Sequence, residues 1–233
     1  MKLLTNGCSF SHGPESWPYA LQEKLGCDLV NLGMPSAGNT YIHDSTISEL
    51  SKNKYDMVII MWSGMSRLDL KVSDVSEFKG SHASSEYQVS INDFAAKIIE
   101  NGNESDLIEK DWIFLHHTAH AKHKLLEDYQ KTYRLYSGSV DILVYNTLIK
   151  LISLQSVLKQ MNIKYLFTFY IDYFDKLRSN ETLFSMLDLE NIFVEDNLHE
   201  IAKRNNWFAE DNSHPGALAH EQWASLIFNK YND

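Results

Sequence analysis

A chain of 233 residues, 44% hydrophobic and 12% aromatic, is long and apolar enough to pack one generous domain, which excludes wholesale disorder. Its net charge of -10, with no strong Lys/Arg run, argues against nucleic acid or an anionic membrane as partner. Two cysteines, Cys8 and Cys27, are too few for a disulfide framework and fit a reducing compartment.

The first residues lack the apolar length of a signal peptide, and no run of about 18 apolar residues is present. The expectation is a cytoplasmic protein with no membrane partner and no helix that spans a bilayer.

The chain opens on Lys2-Leu3-Leu4-Thr5-Asn6-Gly7-Cys8-Ser9-Phe10, an apolar run delivered into a sharp turn. Gly7 permits a bend that a side chain would obstruct. Ser9 falls at the mouth of that turn, ahead of a helical pattern, where backbone N–H groups favour developing negative charge. Taken alone, an ordinary turn or N-cap serine explains it as well. A helix is predicted over Trp17 to Leu25, with Ser16 as N-cap, Pro18 in the first turn and Gly26 closing the end. Cys27 to Leu32 reads as a second strand running into the small-residue loop Gly33-Met34-Pro35-Ser36-Ala37-Gly38-Asn39. Thr40 to Lys52 is predicted helical, with Ile42, Ile47 and Leu50 on one side. Tyr55 to Trp62 is the strongest strand, unbroken in apolar character as a central parallel strand would be, and ends at Ser63-Gly64.

These strand-to-loop units predict an α/β doubly wound, mostly parallel sheet, whose ligand site lies at the carboxyl ends of the strands. A mainly helical insertion is expected at about 70–139. Within it, Lys79 to Tyr87 reads as loop, Ile91 to Glu100 as helix, Asn101-Gly102-Asn103 as a break and Leu107 to Tyr136 as helix-rich. A long amphipathic helix follows over Asp141 to Met161, predicted to pack on the sheet. Ile163 to Phe169 is the fourth strand. Tyr170 to Asp196 is ambiguous, and helices are predicted over Leu198 to Arg204 and Pro215 to Tyr231.

Asp211-Asn212-Ser213-His214-Pro215 lies just before the last helix. An aspartate three positions ahead of a histidine can accept its Nδ1–H within one loop, leaving Nε2 to face a nucleophile. Alone, this pattern is also explained by a capping aspartate and a surface histidine. With the serine turn and the two further small-residue loops it gains specificity.

At these residues the chain resembles the SGNH/GDSL hydrolase superfamily, over roughly 1–67 and 195–231. Thr5-Asn6-Gly7-Cys8-Ser9-Phe10 is similar to its nucleophile block and Asp211-x-x-His214 to its acid–base block. The resemblance implies a flavodoxin-like sheet forming a single domain over 1–233, with Ser9, His214 and Asp211 as a triad that hydrolyses esters or removes acetyl groups. It departs at three places. Cys8 stands where many members have aspartate, Ser36 where an oxyanion-hole glycine is expected, and Met65 where an asparagine is expected. The implied oxyanion hole is built from the N–H groups of Ser9 and Ser36, with Ser63 and Asn39 as candidates to replace the donor that the Met65 thioether cannot supply.

Arg67 either pairs a substrate carboxylate or ties loops together. His116, His120 and His123 share a helical face with Glu127 one turn on, a spacing that can bind metal. With no adjoining cysteine, a solvated or substrate-facing helix is the preferred reading, so neither metal nor cofactor is expected. Cys8 reads as a buried structural cysteine rather than a nucleophile, and His220 as a residue of the last helix. The expected partner is a small-molecule or glycan ester, the expected state a monomer or weak dimer, and the insertion is expected to cover the site and set specificity. A binding protein without turnover and an acyltransferase remain as alternatives on the same fold.

Overall fold

The computed structural model describes residues 1–71, 112–115 and 124–232. Four parallel strands form the main sheet in the order β2-β1-β3-β6: β1 (Lys2–Asn6), β2 (Asp28–Asn31), β3 (Met57–Trp62) and β6 (Lys164–Phe169). All six residues of β3 are buried, the consequence of an apolar run flanked on both edges and covered on both faces. Side chains alternate across it. Val58, Ile60 and Trp62 join a core with α2 (Asn39–Leu50) and α4 (Val140–Gln160), whereas Met57, Ile59 and Met61 join one with α1 (Trp17–Leu25), α7 (Leu198–Asn205) and α8 (Ala217–Asn232). The sheet is therefore doubly wound, as the strand-loop pattern predicts, and the carboxyl ends of its strands gather at one edge.

A second, two-stranded antiparallel sheet pairs β4 (Leu68–Lys71) with β5 (Trp112–Leu115), from Leu68 opposite Leu115 to Lys71 opposite Trp112. This corrects the helix-rich reading of Leu107 to Tyr136 over four residues. Trp112-Ile113-Phe114-Leu115 is an aromatic and apolar run that suits a pleated surface once β4 offers an edge. Trp112 is buried with its ring edge-on to Tyr41 at 5.5 Å. The rest of that stretch includes α3 (Lys124–Ser137), helical as expected. The expected loop over Lys79 to Tyr87, the helix over Ile91 to Glu100, the break at Asn101-Gly102-Asn103 and His116, His120 and His123 lie outside the described residues.

The ambiguous segment after β6 resolves into the short helices α5 (Phe174–Leu177) and α6 (Glu181–Phe184), and a return to the sheet where the Phe193 N–H donates to the Phe167 carbonyl at 2.8 Å. The 21-residue α4 is long and apolar enough to cross a bilayer by length and composition. Uncharged side chains such as Asn146, Thr147 and Gln155 interrupt its apolar run, which hides it from a search for unbroken hydrophobicity. Val144, Leu148, Leu151, Leu154 and Leu158 bury one side of it in the core beside the sheet.

Candidate active site

Ser9 opens a short 3-10 turn, Ser9–Ser11, immediately beyond β1. The turn is possible because Gly7 and Gly33 have no side chains. A Cβ on Gly7 would lie 2.2 Å from Ser11 Oγ, and one on Gly33 would lie 2.6 Å from the Ser11 carbonyl oxygen. Both loops thus close on Ser11, whose hydroxyl accepts from Trp17 Nε1 at 2.9 Å and whose carbonyl accepts from Asn31 Nδ2 at 2.7 Å. Beneath the turn, buried Asn6 accepts from the Gly7 N–H at 2.8 Å. Its amide nitrogen reaches the Ile42 carbonyl at 3.0 Å, Ser45 Oγ at 2.8 Å and Thr46 Oγ1 at 2.9 Å, which bolts β1 to α2. Cys8 is fully buried among Phe10, Trp17 and Leu21, as the alternation along the turn predicts.

The second half of the site arrives from residues far away in the chain. In the loop between α7 and α8, the Ala209 N–H donates to the His214 carbonyl and the Gly216 N–H to the Trp207 carbonyl, each at 2.8 Å. Asp211 Oδ1 accepts from the backbone N–H groups of Ser213 and His214, both at 2.9 Å. Its Oδ2 lies 2.5 Å from His214 Nδ1, and His214 Nε2 lies 3.1 Å from Ser9 Oγ. Burial works to raise the Asp211 carboxyl, but those backbone donors and the imidazole outweigh it and hold the group well below the usual carboxylate range. An ionised Asp211 accepts a hydrogen bond from Nδ1–H and leaves Nε2 as acceptor for the serine hydroxyl. The Phe10 ring supports the imidazole edge-on, with centroids 5.5 Å apart. Ser9 and His214 open into a cavity of about 280 Å³, also lined by His12, Pro14, Glu15 and Ala209.

The other predicted residues fall around this centre in different roles. Ser36 occupies the left-handed region at φ 65°, the conformation for which a glycine would be chosen. Asn39 is buried, its Oδ1 accepting from the Ser63 N–H at 2.8 Å, and its Nδ2 has no hydrogen-bond partner among the described residues. Ser63 is fully buried, its N–H donating to Asn39 Oδ1 and its carbonyl accepting from the Tyr173 hydroxyl at 2.7 Å, while its Oγ has no hydrogen-bond partner among the described residues. Met65 packs against the core on the α2 side. Arg67 donates through Nη1 to the Ala37 carbonyl at 3.0 Å, tying the third loop to the second, the loop-tying alternative of its two readings. His220 is more than a helix residue. Buried in α8, its Nδ1 accepts from the Trp17 N–H at 3.2 Å, and burial lowers its pKa to about 4. Glu127 is engaged by Lys131 at 2.7 Å, and the described residues hold no group of side chains set to bind a metal.

Sequence reasoning missed three groups. Asp69 on β4 is buried and accepts from the Gly38 and Tyr41 N–H groups at 2.8 Å each, capping the start of α2; burial raises its pKa to about 6. Tyr170 and Tyr173 enter from the loop beyond β6. Neither carries a local signal, because their partners are tens of residues away. Asn6 had one faint signal, a polar side chain at the end of an otherwise apolar strand.

No family model and no curated protein sequence matches the chain. Solved structures do. The psychrotrophic esterase EstA from a Pseudoalteromonas species aligns over 99% of this chain and 96% of its own at 12% identity, with a TM-score of 0.52. TesA aligns over 99% and 97% at 12% identity, with a TM-score of 0.53. The acetylxylan esterase Axe2 from Geobacillus stearothermophilus covers 98% and 93% at 15% identity, with a TM-score of 0.47. With its parallel sheet wound on both faces, the chain shares the fold of EstA and TesA.

Proposed function

We propose that the protein is a serine esterase, cleaving small acyl groups such as acetyl from a carbohydrate or similar alcohol. The supporting observation is the hydrogen-bonded series Ser9–His214–Asp211, with its 3.1 Å and 2.5 Å contacts. Ser9 Oγ attacks the ester carbonyl as its proton passes to His214 Nε2, and Asp211 stabilises the imidazolium. Collapse of the tetrahedral intermediate breaks the bond to the alcohol, which takes the proton from His214 and leaves an acyl-Ser9. Water, deprotonated by the same imidazole, then adds to the acyl carbon and releases the acid with Ser9 restored. The N–H groups of Ser9 and Ser36 are assigned to the carbonyl oxygen, with buried, unpartnered Asn39 Nδ2 as the side-chain donor.

Met65 favours a second reading, a glycan or acyl-ligand binding protein without turnover, because a thioether in the third loop offers no hydrogen bond. Release of acid from short acyl esters separates the two. The esterase reading expects hydrolysis that Ser9→Ala and His214→Ala each reduce by 10³-fold or more. Saturable binding of an acylated sugar with no acid released, by wild type and Ser9→Ala alike, establishes the binding protein instead.

A further inference from the structure

Acyl transfer concentrates charge on one oxygen, and the third loop has few donors left for it. The Ser63 N–H is held by Asn39, Met65 has none, and Arg67 Nη1 is directed to the Ala37 carbonyl, which leaves the buried Ser63 hydroxyl as a side-chain donor without a partner there. Tyr170 approaches from the opposite side. It directly follows β6, and its N–H donates to the Trp62 carbonyl at 3.2 Å, which lays it beside the end of β3. One edge contact of its ring is with Phe10, the residue after Ser9, at 5.1 Å and 88°. Its hydroxyl lies over the third loop: a Cβ at Gly64 would be only 3.3 Å from it. The Arg67 guanidinium stands 5.4 Å from the ring centroid. The phenol therefore bridges the neighbour of the nucleophile and the third loop, where Met65 offers no donor.

We infer that the Tyr170 hydroxyl is a further catalytic group, donating a hydrogen bond to the ester carbonyl oxygen as it becomes an oxyanion. The inference rests on the esterase reading. Burial raises the phenol's pKa against the opposing pull of Arg67, so Tyr170 stays protonated and has a hydrogen to give. Arg67 polarises the same hydroxyl. A neutral donor fixed beforehand by ring packing needs no rearrangement when the charge forms.

Tyr170→Phe keeps the ring, with its contact to Phe10 and its stacking under Arg67, and removes the O–H together with its hydrogen bond to Arg67. The expected result is a loss of about 10²-fold or more in kcat on a short acetyl ester, with KM changed by no more than a few-fold. Affinity for a short alkyl boronic acid, which adds to a serine as a tetrahedral anion, should fall by a similar factor. Adding Met65→Asn to Tyr170→Phe places an amide beside Gly64 and should restore part of kcat, which a purely structural defect would not allow. Wild-type kcat and boronate affinity in Tyr170→Phe overturn the inference while leaving the esterase reading intact. A wild-type protein that hydrolyses no ester and whose Ser9 reacts with no active-site reagent overturns both.

Discussion

Ser36 carries a backbone conformation that its own side chain disfavours. At φ 65° a non-glycine residue pays about 1 kcal/mol or more relative to its relaxed state, part of which glycine gives back through its greater freedom in the unfolded chain. Ser36→Gly should therefore raise thermal stability, by up to about 1 kcal/mol or roughly 2–4 °C in a chain of this size. A lowered melting temperature would mean that the Ser36 hydroxyl makes a compensating contact worth more than the strain. The residues legible in the sequence are those whose partners are local. Asp211 and His214 share one loop, so their spacing allows the pairing, and the serine turn gives it specificity. Tyr170 and Asp69 were illegible as site residues, and Asn6 only faintly legible, because β6, β4 and α2 must first assemble before their neighbours exist.

At the scale of elements, the start of α2 is organised by a carboxylate from another part of the chain. Asp69 satisfies two N–H groups at that helix end, yet its burial is costly enough to raise its pKa from 3.8 to about 6. Between those values the native state retains a proton that the unfolded chain has released, so this group makes stability fall as pH rises from about 4 to 6. His220, which receives the Trp17 N–H where α1 begins, acts in the opposite sense. Its pKa falls from 6.5 to about 4, so the unfolded chain binds a proton that the native state refuses, and stability rises over nearly the same range. Each displacement corresponds to about 3 kcal/mol at most, and the two slopes oppose. Thermal melts of the wild type should vary little from these two groups between pH 4 and 6. Asp69→Asn, read by slope rather than by absolute stability, should expose the His220 dependence and melt progressively lower as pH falls from 6 to 4. Equal slopes in variant and wild type would contradict this. Element boundaries show the same division as the residues. The unbroken run of β3 announced a central strand, whereas β5 was hidden in a helix-rich stretch because only pairing with β4 decides its conformation.

Across the whole molecule, parallel winding brings residues from both ends of the chain to one edge of the sheet. Ser9 and His214, 205 positions apart, meet at 3.1 Å. The small-residue turns after β1, β2 and β3 meet at that edge, and the loop after β6, with Tyr170 and Tyr173, joins them there. The central claim is that this assembly makes Ser9 a nucleophile, with fully buried Cys8 beside it as packing. A fluorophosphonate probe followed by peptide mass spectrometry tests that claim most directly. The account predicts one phosphonyl group per chain, attached to Ser9, with labelling lost in both Ser9→Ala and His214→Ala while the fold persists. A folded wild-type protein that takes up no probe, or one that carries it on Cys8, would contradict the account.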